Sequence, residues 1–330
     1  MSTRRSTLLG AGAILAGAGA ILAGAGLAAP AIAQQRITRL VVTFPPGGST
    51  DILARLIAPV IERNLGHTVV VENRGGANGA VAMAAVAQAA PDGSVFALDA
   101  GGATTNLHLM RGLGFDYTTA FTPVTQATVL PALLIVRGDG PIQDFQGFLA
   151  HARANPGAVS YGSSGVGTGS HLAGALLMRR AEIQATHIPY RGGADQLTSI
   201  RRGDTITTFS TIPTIAGLIR DGVIRPLVAS TPERARAYPD VPTVAESGFA
   251  GFSIFDFHAI YAPARTPAEP VARMAAAVRA AMTDADLQPR FLALGLEPAA
   301  HGSEAFATFL SERRDEMGAL IQAEGIRLEG

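Results

Sequence analysis

The chain has 330 residues, with 26 basic against 26 acidic side chains, 48% hydrophobic residues and 16% charged ones. That length exceeds one modest core and suits two α/β domains; the composition excludes a disordered chain, and the balanced charge offers nucleic acid no basic surface. Every basic residue is arginine, and cysteine and tryptophan are absent, which excludes lysine Schiff bases, thiol nucleophiles, thiolate metal sites, disulfides and a lipoprotein anchor.

The first 33 residues differ from the rest. Arg4 and Arg5 precede an Ala/Gly/Leu/Ile run from Leu8 to Ala29, closed by Ala31-Ile32-Ala33. This pattern predicts a cleavable secretory signal at 1–33 in preference to a retained membrane anchor, and hence a periplasmic mature protein. Thr3-Arg4-Arg5-Ser6-Thr7-Leu8-Leu9 loosely matches a twin-arginine signal, but Thr7 stands where an aromatic is usual, so the export route stays open. Cleavage would remove two arginines and no acids, leaving 24 basic and 26 acidic residues.

Beyond Gln34, short β-rich runs alternate with longer amphipathic ones, as in a parallel α/β fold. Leu40 to Phe44 reads as a buried strand and Pro45-Pro46-Gly47-Gly48 as its turn. Ser49 or Thr50 then caps a helix with Ile52, Leu53, Leu56, Ile57 and Val60 on one side. A strand over 68–72, the loop Asn73–Gly79, an alanine-rich helix to Ala90 and a strand over 94–99 follow. Gly138-Asp139-Gly140-Pro141 reads as a linker, after which the grammar restarts. A strand from Ala158 to Tyr161, the glycine-rich loop 162–169 and a helix from near Ser170 come first, then strands near 186–188, 205–210 and 224–229. From Thr266 the pattern is almost wholly helical, with Val271, Met274, Val278 and Met282 in one stripe. The expected plan is a lobe of residues 36–136 joined by 257–330, and a second lobe of 137–256. The chain would cross between them near 124–134 and 252–262.

Two strand-to-helix loops have the composition of anion cradles: Pro45 to Asp51, and Tyr161 to Gly169. Glycines let backbone N–H groups approach a ligand, and a helix N-terminus adds partial positive charge. Ser49, Thr50, Ser163, Ser164 and Thr168 would add hydroxyl donors. Either loop alone is as readily a plain tight turn; the matched pair favours a cradle for a carboxylate. Valine at Gly48 or Gly167 is then expected to abolish binding and spare folding. Enzyme motifs do not match: Gly162-Ser163-Ser164-Gly165-Val166 is not a Gly-x-Ser-x-Gly elbow, and Ser170 stands where a dinucleotide fingerprint needs glycine. No two histidines fall at i, i+3 or i, i+4. No metal or other cofactor is expected, and His171, beside the second cradle, is the one to watch. Asp51, in the first helical turn, is more readily a dipole partner than a base.

Val42 to Asp51, Val71 to Gly79, Pro91-Asp92-Gly93, Tyr161 to Thr168 with His171-Leu172-Ala173-Gly174, Ile188 to Ala194, Tyr238 to Gly248 and Ala262 to Pro267 together resemble one family. It is that of the tripartite tricarboxylate transporter substrate-binding proteins, also called Bordetella uptake gene receptors. The matches run in order over nearly the whole mature chain. The resemblance implies a two-lobe, type II periplasmic-binding (Venus-flytrap) fold and no catalysis. It implies capture of a small carboxylate, held by backbone amides, hydroxyls and water, for delivery by a monomer to membrane permease subunits. Carried over by motif, the ligand shell comprises Phe44, Gly47, Gly48, Ser49, Thr50, Asp51, Asn78, Ser163, Ser164, Thr168, Tyr190, Gly192 and Ala194.

Three departures bear on the ligand. Asp195 stands where the family usually has proline or a small residue. Facing the cleft, it would repel a second acid group or pair with an amine; capping the next helix, the preferred reading, it would do neither. Ser210 replaces a usual aspartate or glycine, and a tryptophan common before the late Ala-Pro signature is missing, with Phe255, Phe257 and His258 around that place. The competing functions are a periplasmic hydrolase using Ser163 or Ser164 with His171, and a receptor that docks a membrane sensor.

Overall fold

The computed structural model describes residues 37–327, and the signal segment expected at 1–33 lies outside the described residues. Strand β1 (Thr38–Val42) leads into α1 (Ser49–Leu65), β2 (Val69–Asn73), a 3-10 turn at Ala77–Gly79, α2 (Ala80–Ala87), β3 (Val95–Asp99) and α3 (Gly102–Leu109). Next come β4 (Phe121–Leu130) and β5 (Ala132–Arg137), separated by Pro131 alone, then α4 (Phe145–Ala154), β6 (Val159–Ser163), α5 (Gly169–Arg180), β7 (Ala185–Pro189) and α6 (Gly193–Arg202). β8 (Thr207–Thr211), α7 (Ile212–Arg220), β9 (Ile224–Ala229), β10 (Asp256–Pro263), α8 (Ala268–Met282), α9 (Gln288–Ala293), β11 (Glu297–His301) and α10 (Ser303–Ala323) complete the chain.

The strands form two sheets, ordered β11-β4-β10-β3-β1-β2 and β7-β6-β8-β5-β9. β1 is parallel to both neighbours, as β6 is to its own, while β10 and β5 run antiparallel to theirs. Helices cover both faces of each sheet, so side chains on both faces are buried. In β1, Leu40 and Val42 enter the core under α1 and α8, while Val41 faces the opposite core with Phe257, Tyr261 and Phe306. In β5, Leu134 and Val136 take one face, Leu133 and Ile135 the other. That two-residue alternation is strand geometry, and each such side chain contributes about 1.5–3 kcal/mol by leaving water.

The sheets are two lobes of an α/β fold, joined at Pro131 and by the segment between β9 and β10. A third link is helical. Phe306 and Leu310 of α10 lie in a core of the first sheet, whereas Met317 and Ile321 lie in a core of the second.

Three local expectations are corrected. β1 ends at Val42, two residues short of the expected run, although Thr43 still donates its N–H to the Leu98 carbonyl at 3.1 Å and its hydroxyl to buried Asp99 at 2.8 Å. No hydroxyl caps α1: Gly48 is the N-cap and Ser49 and Thr50 are already helical. Asp51 instead reaches back to accept the Gly47 N–H at 3.0 Å, which closes the turn without them. The C-terminal region is not wholly helical, since β11 interrupts it, pairing Glu297 with Val129 and Pro298 with Thr128. Pro298 is tolerated there because β11 is an edge strand.

Candidate ligand-binding site

In open α/β sheets, ligands sit beyond the carboxyl ends of strands where the order reverses direction. Both sheets have such a point, at β3-β1-β2 and β8-β6-β7. A cavity of about 350 Å³ lies there, lined from one lobe by Phe44, Pro45, Gly48, Ser49, Thr50 and Ala100, and from the other by Ser164, Thr168, Ser170, Gly192, Ala194, Asp195, Phe209 and Ser210. Ala132 and Asp256, at the two crossings between lobes, complete the wall. The volume suits a small solute.

The first cradle is held by Asp51. Its carboxylate is buried, which raises its pKa, but hydrogen bonds from Arg55 and the Gly47 N–H outweigh burial and hold it below the usual carboxylate range. Those bonds measure 2.9 and 3.0 Å. Gly47 takes φ +82 in this turn, a conformation that favours glycine. The first N–H groups of α1 lack partners four residues back, as at any helix start, and Ser49 and Thr50 line the cavity beside them.

The second cradle rests on a pair of histidines that sequence spacing does not bring together. His171 and His187 stack with ring centroids 3.8 Å apart. Burial lowers His171 to about 3, with repulsion from His187 adding, and burial lowers His187 to about 4, so both rings are neutral at pH 7. His171 Nδ1 accepts the Gly167 N–H at 3.1 Å, and His187 Nε2 lies 2.7 Å from Ser163 Oγ. Ser164, Thr168 and Ser170 form a hydroxyl trio, with Ser170 Oγ 3.2 Å from Ser164 Oγ and 3.0 Å from Thr168 Oγ1. Thr168 donates to the Gly165 carbonyl at 2.7 Å. Ser170, whose hydroxyl donates to Thr168, can only accept in its contact with Ser164, so Ser164 is the donor there.

Asp256 opens β10 and faces the cavity, its carboxyl packed against Gly169 and Gly101. Burial pushes it up to about 7; the Arg313 guanidinium pulls it down and Asp99 adds to the rise. The folded protein therefore keeps a proton that the unfolded chain releases near pH 4. The resulting stability is fully present below that pH and is lost as pH rises through 7. Melting curves of wild type and Asp256→Asn should coincide near pH 4. By pH 8 the variant should be more stable by on the order of a few kcal/mol. Parallel curves throughout would show that Asp256 is ionised in the folded state.

A wider groove of about 1680 Å³ adjoins the cavity and shares Phe44, Pro45, Pro46, Ser164 and Arg191 with it. It is lined by Asn78, Leu109, Val166 and Tyr190, and by Ile321 of α10. Across it the lobes touch: the Asn78 amide donates to the Gly167 carbonyl at 3.2 Å, as well as to Thr105 and Asn106.

The family model described as the tripartite tricarboxylate transporter family receptor (TctC) matches residues 53–326. The chain belongs to this receptor family. Solved structures agree. The periplasmic binding protein BugD is 29% identical, with TM-score 0.84, over 89% of this chain and 99% of its own. Rpa4515 of R. palustris with adipate is 30% identical, with TM-score 0.86, over 89% and 99%. MatC (Rpa3494) from Rhodopseudomonas palustris with bound malate is 29% identical, with TM-score 0.80, over 86% and 99%. The two-lobe fold expected of the chain is thus its fold.

In this family member the expected site residues divide into three groups. Phe44, Gly48, Ser49, Thr50, Ser164, Thr168, Gly192 and Ala194 line the inner cavity. Asn78 and Tyr190 line the outer groove. Gly47, Asp51 and Ser163 line neither; the first two shape the turn, and Ser163 is wholly buried against His187. Ser170, Phe209, Thr214 and Asp256 were missed. Asp256 had a visible signal, being a lone acid in the run Ile254-Phe255-Asp256-Phe257. Asp195 is not a cap: Gly192 is the N-cap of α6 without any side-chain bond, and Asp195 lines the cavity from the first turn. Nor is valine at Gly167 structurally neutral. Gly167 has φ +79, and an added Cβ would lie 2.3 Å from Leu109.

Proposed function

We propose that this receptor-family chain is a periplasmic protein that captures a small carboxylate between its lobes and, as a monomer, delivers it to membrane permease subunits. The observation that carries this reading is the inner cavity, where the N-termini of α1 and α5 converge from opposite lobes with Ser49, Thr50 and Ser164 beside them. Such termini attract an anion without any lysine. The adipate- and malate-bound relatives support the same ligand class. The thirteen residues carried over by motif then act in three ways: those lining the inner cavity touch the ligand, Asn78 and Tyr190 line the groove that leads to it, and Gly47, Asp51 and Ser163 set the loops. Closure turns on Pro131 and the segment entering β10, and removes the acid from water.

The hydrolase alternative draws less support. His171 bonds the Gly167 N–H, and Ser164 bonds Ser170, so that candidate pair is not in contact. Ser163 does meet His187, but its side chain is fully buried. The test is a thermal-shift series with mature protein against mono-, di- and tricarboxylates, amino acids and aromatic acids. A ligand at 100 times its Kd should stabilise the protein by about 2.7 kcal/mol. A dose-dependent rise for one acid class is expected. No rise across the series, with nothing released on denaturation, would remove the reading.

A further inference from the structure

The cavity has a second chemical face that capture of a carboxylate leaves unused. Asp195 projects from the first turn of α6 into the cavity wall. Among the described residues its carboxylate has no hydrogen-bond or ion-pair partner, and it does not take up the free N–H groups of its own helix. Ser210, next to the last residue of β8, is 97% buried and lines the same cavity. The starts of α6 and α7 meet there, an added Cβ on Gly193 coming 3.6 Å from Thr214.

The hydrogen-bond directions at Ser210 are determined. Thr214 commits its only hydroxyl hydrogen to the Thr211 carbonyl at 2.7 Å. Ser210 Oγ lies 3.1 Å from Thr214 Oγ1, so in that contact Ser210 is the donor. Its hydrogen is thereby spent, and it presents only lone pairs to the cavity. A buried acceptor without a donor costs free energy until a ligand supplies one. Ser210 and Asp195 together therefore form an acceptor-only face, opposite in character to the N–H groups of the two cradles. Arg191 is the one cation among the described lining residues, and it stands at the mouth, shared with the outer groove.

We propose that the solute carries a protonated amine besides its carboxylate, and that Asp195 with Ser210 is the subsite that receives the ammonium. This rests on the carboxylate-capture reading and narrows it. A simple dicarboxylate would set its second anionic group against Asp195, whereas an ammonium brings hydrogens to both acceptors and cancels the charge.

The experiment is titration calorimetry with matched acids that differ only in the amine: glutamate against glutarate, aspartate against succinate, 4-aminobutyrate against butyrate. Wild type should prefer the amino member of at least one pair by about tenfold or more. Asp195→Asn, at an exposed and unpaired position, should keep its melting temperature and lose most of that preference. Ser210→Ala should reduce the amino preference further. Equal or tighter binding of glutarate, succinate and butyrate would overturn the ammonium subsite and leave carboxylate capture standing. A preference that survives Asp195→Asn intact would also overturn it. Absence of binding by all six acids and by the wider carboxylate series would remove both readings together.

Discussion

Gly48→Val should abolish solute binding, by on the order of 100-fold or more, with the melting temperature nearly unchanged. Gly48 has φ −79 and ψ 167, a conformation open to any residue. A Cβ there would meet only the Pro45 carbonyl, at an ordinary 3.5 Å. The fold therefore accepts the side chain, but the ligand cannot. Two valine methyl groups would project into a cavity of about 350 Å³, over the free N–H groups that open α1. Each hydrogen bond to a charged group contributes about 1.5–3 kcal/mol, so masking two of them gives the stated loss. Calorimetry with the best acid from the thermal-shift series checks affinity, and the melt without ligand checks folding. Undiminished binding would mean that the first cradle does not touch the solute. Gly167→Val is the weaker test, because its positive φ and the Leu109 contact confound folding with binding.

The largest stability effect is expected in the last helix. Met317 and Ile321 are 3% and 5% exposed, and both belong to the core of the second sheet. Truncating a buried aliphatic side chain to alanine costs about 2–5 kcal/mol, part of it from the cavity left behind. The double variant Met317→Ala/Ile321→Ala should thus lose an amount comparable with the whole stability of an ordinary domain. Because Phe306 and Leu310 anchor the same helix to the other sheet, the damage should be uneven. Amides of β6 and β8 should lose hydrogen-exchange protection, while those of β1 and β3 keep theirs. Uniform loss of protection would show that the molecule unfolds as one unit and that α10 has no separate hold on each lobe.

The parts of the molecule that were legible in the sequence are those with local causes. Pro45 to Thr50 and Ser164 to Thr168 announce strand-to-helix turns by their own glycines and hydroxyls, and most of those residues line the cavity. What escaped depends on distant partners. β11 exists because β4, about 170 residues earlier, offers it an edge, and nothing within Glu297-Pro298-Ala299-Ala300-His301 favours a strand. Ser163 and Ser164 are equivalent as letters, yet Ser163 ends β6 facing His187 and Ser164 turns toward the cavity. The helix start at α1 was misassigned because Asp51, not a hydroxyl, closes the turn. His171 and His187 meet only because α5 packs beside β7, a pairing invisible to spacing rules. Phe209 comes from β8, beside the crossover, where chain direction reverses and no local motif marks the wall.

The position of β10 also sets an order of assembly. Its neighbours β3 and β4 end at residues 99 and 130, but β10 itself begins only at Asp256. All five strands of the other sheet, by contrast, are contained between Ala132 and Ala229. A ribosome that has released the first 229 residues has supplied that sheet in full. It has given the amino-terminal strands only a fragment, β2-β1-β3, with the free edge of β3 exposed to any strand it meets. The half of the protein made first is therefore the half completed last, and the newly synthesised chain stays dependent on whatever shields that edge until its final quarter arrives.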